Sequence, residues 1–245
     1  MPVIYLSPSM NSFNKCLGGG DEQLYMNKLA DEMEPYLKSS GIRYTRSKMG
    51  NTLGQTIKES NSNYYDLHLA LHTNVSPENL AGKLRGMNTY YYSNSKLGKR
   101  AADIIVENYK TIYPTPALVK ATPTLTMPEV RRTNAPAVLV ETVYCDNEED
   151  VNWLKSNLKS IAANLTKSLT QYFGILFINP QPPKRGTVTT QGGNLNIRAK
   201  PDIDSEIIAK APNNSPVTVF GEWQGWYVVD YKGNVGYASS SYITL

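Results

Sequence analysis

The sequence predicts an α/β domain built on a mainly parallel sheet with helices on both faces, followed by a small all-β barrel. Three observations carry this reading. Short apolar runs alternate with helical patterns through the first 178 residues, the signature of a parallel sheet covered on both sides. The stretch NPQPPKRGT, from Asn179 to Thr187, holds three prolines and no periodic pattern, so it reads as a linker. Beyond it the pattern changes to short alternating runs, LNIRA, PVTVF, WYVVDY and VGYAS, separated by Asn, Gly and Pro. The expected organisation is a first domain over 1–178, a linker over 179–186 and a second domain over 187–245.

Taken in order, the first domain should contain a strand at 3–7, a helix at 21–39, a strand at 42–46, a helix at 51–60 and a strand at 66–72. A strand near 86–92, a helix at 95–112, a short strand near 118–122, a strand at 136–142 and a helix at 147–173 complete it. In the strand at 66–72, Leu67, Leu69 and Leu71 alternate with His68, Ala70 and His72, the period of two of a strand whose faces differ. In the last helix, Val151, Leu154, Leu158, Ile161, Leu165, Leu169 and Phe173 recur at three- and four-residue spacing.

Composition narrows the function classes. Hydrophobic content of 40% and charged content of 19% are ordinary for a globular protein. A net charge of +4, from 25 basic and 21 acidic residues with no Lys/Arg cluster, argues against nucleic acid as a partner. In the second domain four basic residues meet five acidic ones, so bulk charge does not choose its partner. Apolar runs such as GILFI at 174–178 fall far short of the roughly 18 residues that span a bilayer, so no membrane insertion is expected. The opening MPVIYLSP reads as a first strand and not as a signal peptide. Cys16 and Cys145 are too few for a disulfide framework and leave one bridge or two free thiols open.

Both histidines lie in that strand. His68 and His72 point the same way but are separated by four strand residues, roughly 13 Å, so at most one of them can hold a given ion. Ligands of open α/β sheets gather beyond the carboxyl ends of the strands, which favours His72. His68, in mid-strand, reads as a packed histidine with a local hydrogen bond.

Three segments bear groups suited to a metal: GGGDEQLYMNKLA with Glu22 in the first turn of a helix, ALHTN with His72, and APAVLVETVYCDN with Glu141 in an apolar strand. A glutamate within VLVETV is expensive to bury and calls for a charged or metal partner. Together these segments resemble the zinc-dependent N-acetylmuramoyl-L-alanine amidases of the type 3 family, which cleave peptidoglycan, over residues 2–175. IYLSPS matches that family's first strand; Glu22 with Leu29 and Ala30 matches its metal-binding glutamate and helix; His72 with Asn74 matches its later metal histidine. Arg132, Pro136 and VLVE followed by Asn147 match the segment bearing its catalytic glutamate, here Glu141. The resemblance implies zinc as cofactor, Glu22 and His72 as ligands, Glu141 as acid and base, and Asn74 and Arg132 as substrate-binding residues. NLNIRAKP at 194–201 and the run from Gly221 to Ile243, with Gly225-Trp226-Tyr227 and Gly236-Tyr237, resemble bacterial SH3-like domains that accompany wall hydrolases. Trp226 and those glycines are expected to be structural.

The sequence departs from the amidase pattern at one place. The family's first zinc ligand is a histidine just after the first strand, and Met10 stands there in SPSMNSFNKC. Thioether sulfur is a poor zinc ligand. The candidates for a third ligand are Cys16, as thiolate, and Asn11 or Asn14 as weaker oxygen donors; water or nothing is the alternative.

The expected activity is hydrolysis of the amide between N-acetylmuramic acid and L-alanine by a monomer held on the wall by its SH3-like domain. Two alternatives come from the same residues: a thiol peptidase using Cys16 with His72, and a metal-poor wall-binding protein without activity, suggested by Met10. The expected place of action is the wall or the cell exterior, for a phage lysin, a mother-cell lysin or a secreted protein freed of its leader.

Overall fold

The computed structural model describes all 245 residues, Met1 to Leu245. The chain packs as two compact units, one of Val3–Met33 with Tyr44–Phe173, the other of Met1–Pro2, Glu34–Arg43 and Gly174–Leu245.

The first unit is built on a six-stranded sheet with strands β1 (Val3–Pro8), β2 (Arg43–Arg46), β3 (Leu67–Asn74), β4 (Met87–Tyr92), β5 (Val119–Thr124) and β6 (Ala137–Tyr144). Their order is β2-β1-β3-β6-β4-β5. β1 runs parallel to β3, β3 to β6 and β4 to β5, whereas β4 and β6 are antiparallel. The sheet is therefore mainly parallel with one reversed junction. Helices α1 (Glu22–Ser39), α2 (Leu53–Asn61), α3 (Lys96–Tyr109), α4 (Pro128–Arg131) and α5 (Glu148–Phe173) connect the strands.

The central strands are apolar because they are covered. Leu67, Leu69, Ala70 and Leu71 of β3 and Val138, Val140 and Val143 of β6 are fully buried, each large one contributing about 1.5–3 kcal/mol. The periodicity of α5 buries Val151, Leu154, Ile161, Leu165 and Leu169. One α-helix of the first unit is not expected from the sequence: the four-residue α4, which precedes β6. A single turn is too short to show a hydrophobic period, and Pro128 at its first position starts it.

The second unit carries a seven-stranded sheet of β7 (Lys184–Val188), β8 (Leu195–Arg198), β9 (Ile207–Ala211), β10 (Pro216–Trp223), β11 (Trp226–Tyr231), β12 (Asn234–Ser239) and β13 (Ile243–Thr244). Its order is β13-β7-β10-β11-β12-β8-β9, with antiparallel pairs. Val188, Leu195, Ile197, Val217, Val219 and Val229 fill its core. β7 starts inside the stretch read as linker, because Lys184–Thr187 pair with Val219–Pro216. Trp226 packs against the cluster of Ile178, Val228 and Tyr237. At Gly236 a side chain would meet Ile197, Ile208 and the Arg198 carbonyl at 2.7–2.8 Å, so the glycine lets neighbouring strands close up.

No helix is long and apolar enough to cross a membrane.

Candidate active site

The carboxyl ends of β1, β3 and β6 meet at one edge of the first sheet, and the polar residues gather there. After β1 the chain turns through Gly18, Gly19 and Gly20, all three at positive φ (69°, 98° and 81°), a run that favours glycine. That turn delivers Glu22 as the first residue of α1, where the helix dipole favours an acid. Glu22 is 1% exposed. Its Oε2 accepts a hydrogen bond from Asn14 Nδ2 at 2.7 Å, and its Oε1 lies 2.8 Å from His72 Nδ1.

His72, near the end of β3, is partly open, its side chain 23% exposed. Its other ring nitrogen, Nε2, stands 3.4 Å from Glu129 Oε2. Burial alone would lower its pKa, but its contacts with Glu129 and Glu22, and the charges of Glu129 and Glu141, lift it well above the ordinary histidine value.

Glu129, on α4, is the residue that sequence reasoning missed. It is 4% exposed, and its Oε1 accepts from Ser7 Oγ at 2.6 Å and lies 3.0 Å from His68 Nε2. Burial would raise its pKa; the hydrogen bonds and charges of His68 and His72 outweigh that and hold the carboxyl well below the usual range. His68 is fully buried and its Nδ1 sits 2.9 Å from Ser60 Oγ, so it is the packed, hydrogen-bonded residue that the strand pattern predicts. No sequence signal marks Glu129, whose partners Ser7 and His68 are 122 and 61 residues away.

Glu141, on β6, is the register partner of His72 across the parallel pair, so both side chains rise on the same sheet face. Its Oε2 is buried without a hydrogen-bond partner. Burial pushes its carboxyl up, nearby His72 pulls it down, and Glu22 and Glu129 push it up again, to about 7.

A cleft of about 500 Å³ opens onto this edge, lined by Ser7, Ser9, Met10, Asn11, His72 and Glu129 among others, with Phe13 90% exposed at its rim. The structure thus brings together Glu22, His72 and Glu141 of the expected site, and corrects other assignments. Cys16 forms a disulfide with Cys145 and has no thiolate to offer, which removes it both as a zinc ligand and as the nucleophile of a thiol peptidase. Asn11 is turned onto its own loop, its Oδ1 accepting from the amides of Phe13 at 2.9 Å and Asn14 at 3.3 Å. Asn14 orients Glu22. Asn74 Oδ1 accepts from the Val75 amide, and Arg132 is exposed just after α4; the cleft lining includes His72 but not Glu22, Glu141, Asn74 or Arg132.

The donors suit zinc in kind. Glu22 and His72 offer the oxygen and nitrogen that zinc takes, but they are two donors, and no group of three His, Cys, Asp or Glu side chains is placed to hold an ion. Glu129 and Glu22 face opposite nitrogens of the His72 ring, so the three do not converge on one point.

Known structures share this architecture. The N-acetylmuramyl-L-alanine amidase Ami1 of Mycobacterium smegmatis superposes with a TM-score of 0.61 at 15% identity, covering 71% of this chain and 97% of that one. The catalytic domain of the CD27L endolysin targeting Clostridia difficile gives 0.59 at 21% identity, over 70% and 98% of the two chains. The catalytic domain of CwlV, an amidase from Bacillus (Paenibacillus) polymyxa var. colistinus, gives 0.60 at 18% identity, over 72% and 100%. The Bacillus subtilis (strain 168) protein YrvJ, whose name groups it with these amidases, is 34% identical over 58 residues. That match covers 24% of this chain and 11% of YrvJ, so the chain spans about a tenth of that relative. Residues 193–244 match the bacterial SH3 domain. Residues 14–171, more than half of the chain, match the N-acetylmuramoyl-L-alanine amidase family, and the chain belongs to that family.

Proposed function

We propose that the protein is a zinc-dependent peptidoglycan hydrolase that cleaves the amide between N-acetylmuramic acid and L-alanine of the stem peptide. The observation that carries this reading is the pairing in register of His72 with Glu141 at the open edge of the sheet, next to Glu22. Glu22 and His72 would hold the zinc. Bound there, zinc would supply Lewis-acid polarisation of the scissile carbonyl and of a water. Glu141 takes a proton from the attacking water as its oxygen bonds to the carbonyl carbon, and returns it to the nitrogen of L-alanine as the C–N bond breaks. The products are a lactyl carboxylate and a free L-alanine amine. Asn14 holds Glu22 in place.

In this reading the amidase domain ends before the proline-rich stretch at 179, and the SH3-like domain, whose sheet already begins at Lys184, would retain the enzyme on the wall and raise its effective concentration there. Digestion of purified peptidoglycan tests the reading: L-alanine amino termini should appear without new reducing sugar ends, and a chelator should stop it. Reducing ends, or release that ignores the chelator, would refute it. Met10 in the cleft favours one second reading, a wall-binding protein without hydrolytic activity; it predicts sedimentation with peptidoglycan and no release even with added zinc.

A further inference from the structure

The cleft beside His72 is polar where it is buried and apolar where it is open. Ser7 and Glu129, both 4% exposed, line it from within, whereas Phe13 is 90% and Leu53 46% exposed. Of the four phenylalanines in the chain only Phe13 stands in solvent; Phe173, Phe177 and Phe220 are partly buried. Met10 and Met127 line the same cleft, so Phe13 is one of several apolar side chains around one opening and not a stray surface residue.

The backbone under the Phe13 ring is held on both sides. Its amide donates to Asn11 Oδ1 at 2.9 Å, and the carbonyls of Asn11 and Asn14 accept from the amides of Gln23 and Glu22, each at 3.0 Å. The loop is thus tied to the first turn of α1, and a ring placed in advance loses little freedom on binding. Leu53 opens α2, whose start is fixed by the capping box of Thr52 and Gln55. Charge then selects the occupant. No lysine or arginine lines the cleft, and the carboxylates of Glu22, Glu129 and Glu141 surround its one histidine. A stem peptide brings carboxylates of its own, which such a surface repels. A sugar of the glycan strand is uncharged and turns a face of C–H bonds that can lie flat on an aromatic ring.

We propose that Phe13, with Leu53 on the same rim, is the platform on which an N-acetylated sugar of the glycan strand stacks, so that this rim reads the sugar side of the substrate. The inference rests on the peptidoglycan reading of the cleft and names the part of the substrate that the rim takes.

The experiment uses the full chain labelled with ¹⁵N at its two histidines, so that the His72 ring signals report binding in the cleft of wild type and variants alike. The probes are chitotetraose, a neutral N-acetylated glycan without a peptide, and the sugar-free dipeptide L-alanyl-D-isoglutamine. Chitotetraose should shift the His72 signals of wild type. Phe13→Leu keeps apolar bulk without a ring and should weaken that binding at least about fivefold, the scale of a contact that carries binding energy, while Phe13→Tyr should retain it. The dipeptide should respond to neither variant. His72 signals that ignore chitotetraose, wild-type affinity in folded Phe13→Leu, or an equal loss for the dipeptide would each overturn the proposal. Release of L-alanine amino termini from peptidoglycan by wild type is read separately: ring-dependent glycan binding without release would refute hydrolysis and leave the Phe13 platform standing.

Discussion

The two ends of β3 treat the same kind of pair differently. At its start, His68 and Glu129 form a closed pair, with the imidazole fully buried and the carboxylate further held by Ser7. Near its end, His72 and Glu22 form a pair that opens onto a cleft. One strand thus carries a fully buried histidine and a partly exposed one, and Glu129 lies close to both. The difference teaches that burial, and not residue type, separates a sealed imidazole from one that a solute in the cleft can reach.

The sharpest break should come at the open end. Glu141→Gln keeps the shape and removes the base, so release of L-alanine termini should fall about 10²- to 10⁴-fold while the thermal midpoint holds. A variant keeping more than about a tenth of the rate would remove Glu141 from acid and base work.

At the closed end the effect should be on stability. His68→Leu strips a partner from a buried carboxylate, and urea denaturation should register a loss of about 3–5 kcal/mol. His72→Leu, at a partly exposed site, should cost less and yet abolish hydrolysis. Equal costs would erase the contrast between the two ends.

Met10→His tests whether the cleft has room for a further donor. Zinc affinity, read by chelator competition, should tighten by at least about tenfold, or about 1.4 kcal/mol. No change would mean that position 10 does not face the ion.

The smallest effect concerns the loop after β3. Burial raises the Asp146 pKa, but the amides of Gly82 at 2.7 Å and Ser76 at 3.0 Å lower it further, so the folded value lies below the unfolded one. The stabilisation is then present above about pH 3.9 and lost as pH falls through the lower folded pKa. In Asp146→Asn, urea midpoints measured down to about pH 3 should lack that part of the acid decline.

The fold was legible where periodicity was long. The alternation in β3 and the apolar spacing in α5 led to elements whose ends differ from expectation by one or two residues. Glu22, His72 and Glu141 were legible through the family pattern, and the structure brings them to one edge. Glu129 was not, because it sits in a single helical turn and its meaning depends on Ser7 and His68, brought near only by folding. The cysteines were left open for the same reason: 129 residues separate them, and no local pattern marks their pairing.

That bridge has a consequence for survival among proteases. Cys16 lies in the loop ahead of Glu22, and Cys145 four residues beyond Glu141, so the link joins the two margins of the site and encloses nearly all of the sheet between them. A single cut in any exposed loop between them, such as the one at Leu80 or Leu125, would leave one covalent molecule with both margins still tied. Nicked protein should therefore migrate as two pieces only after reduction, and hydrolysis should outlast the nick.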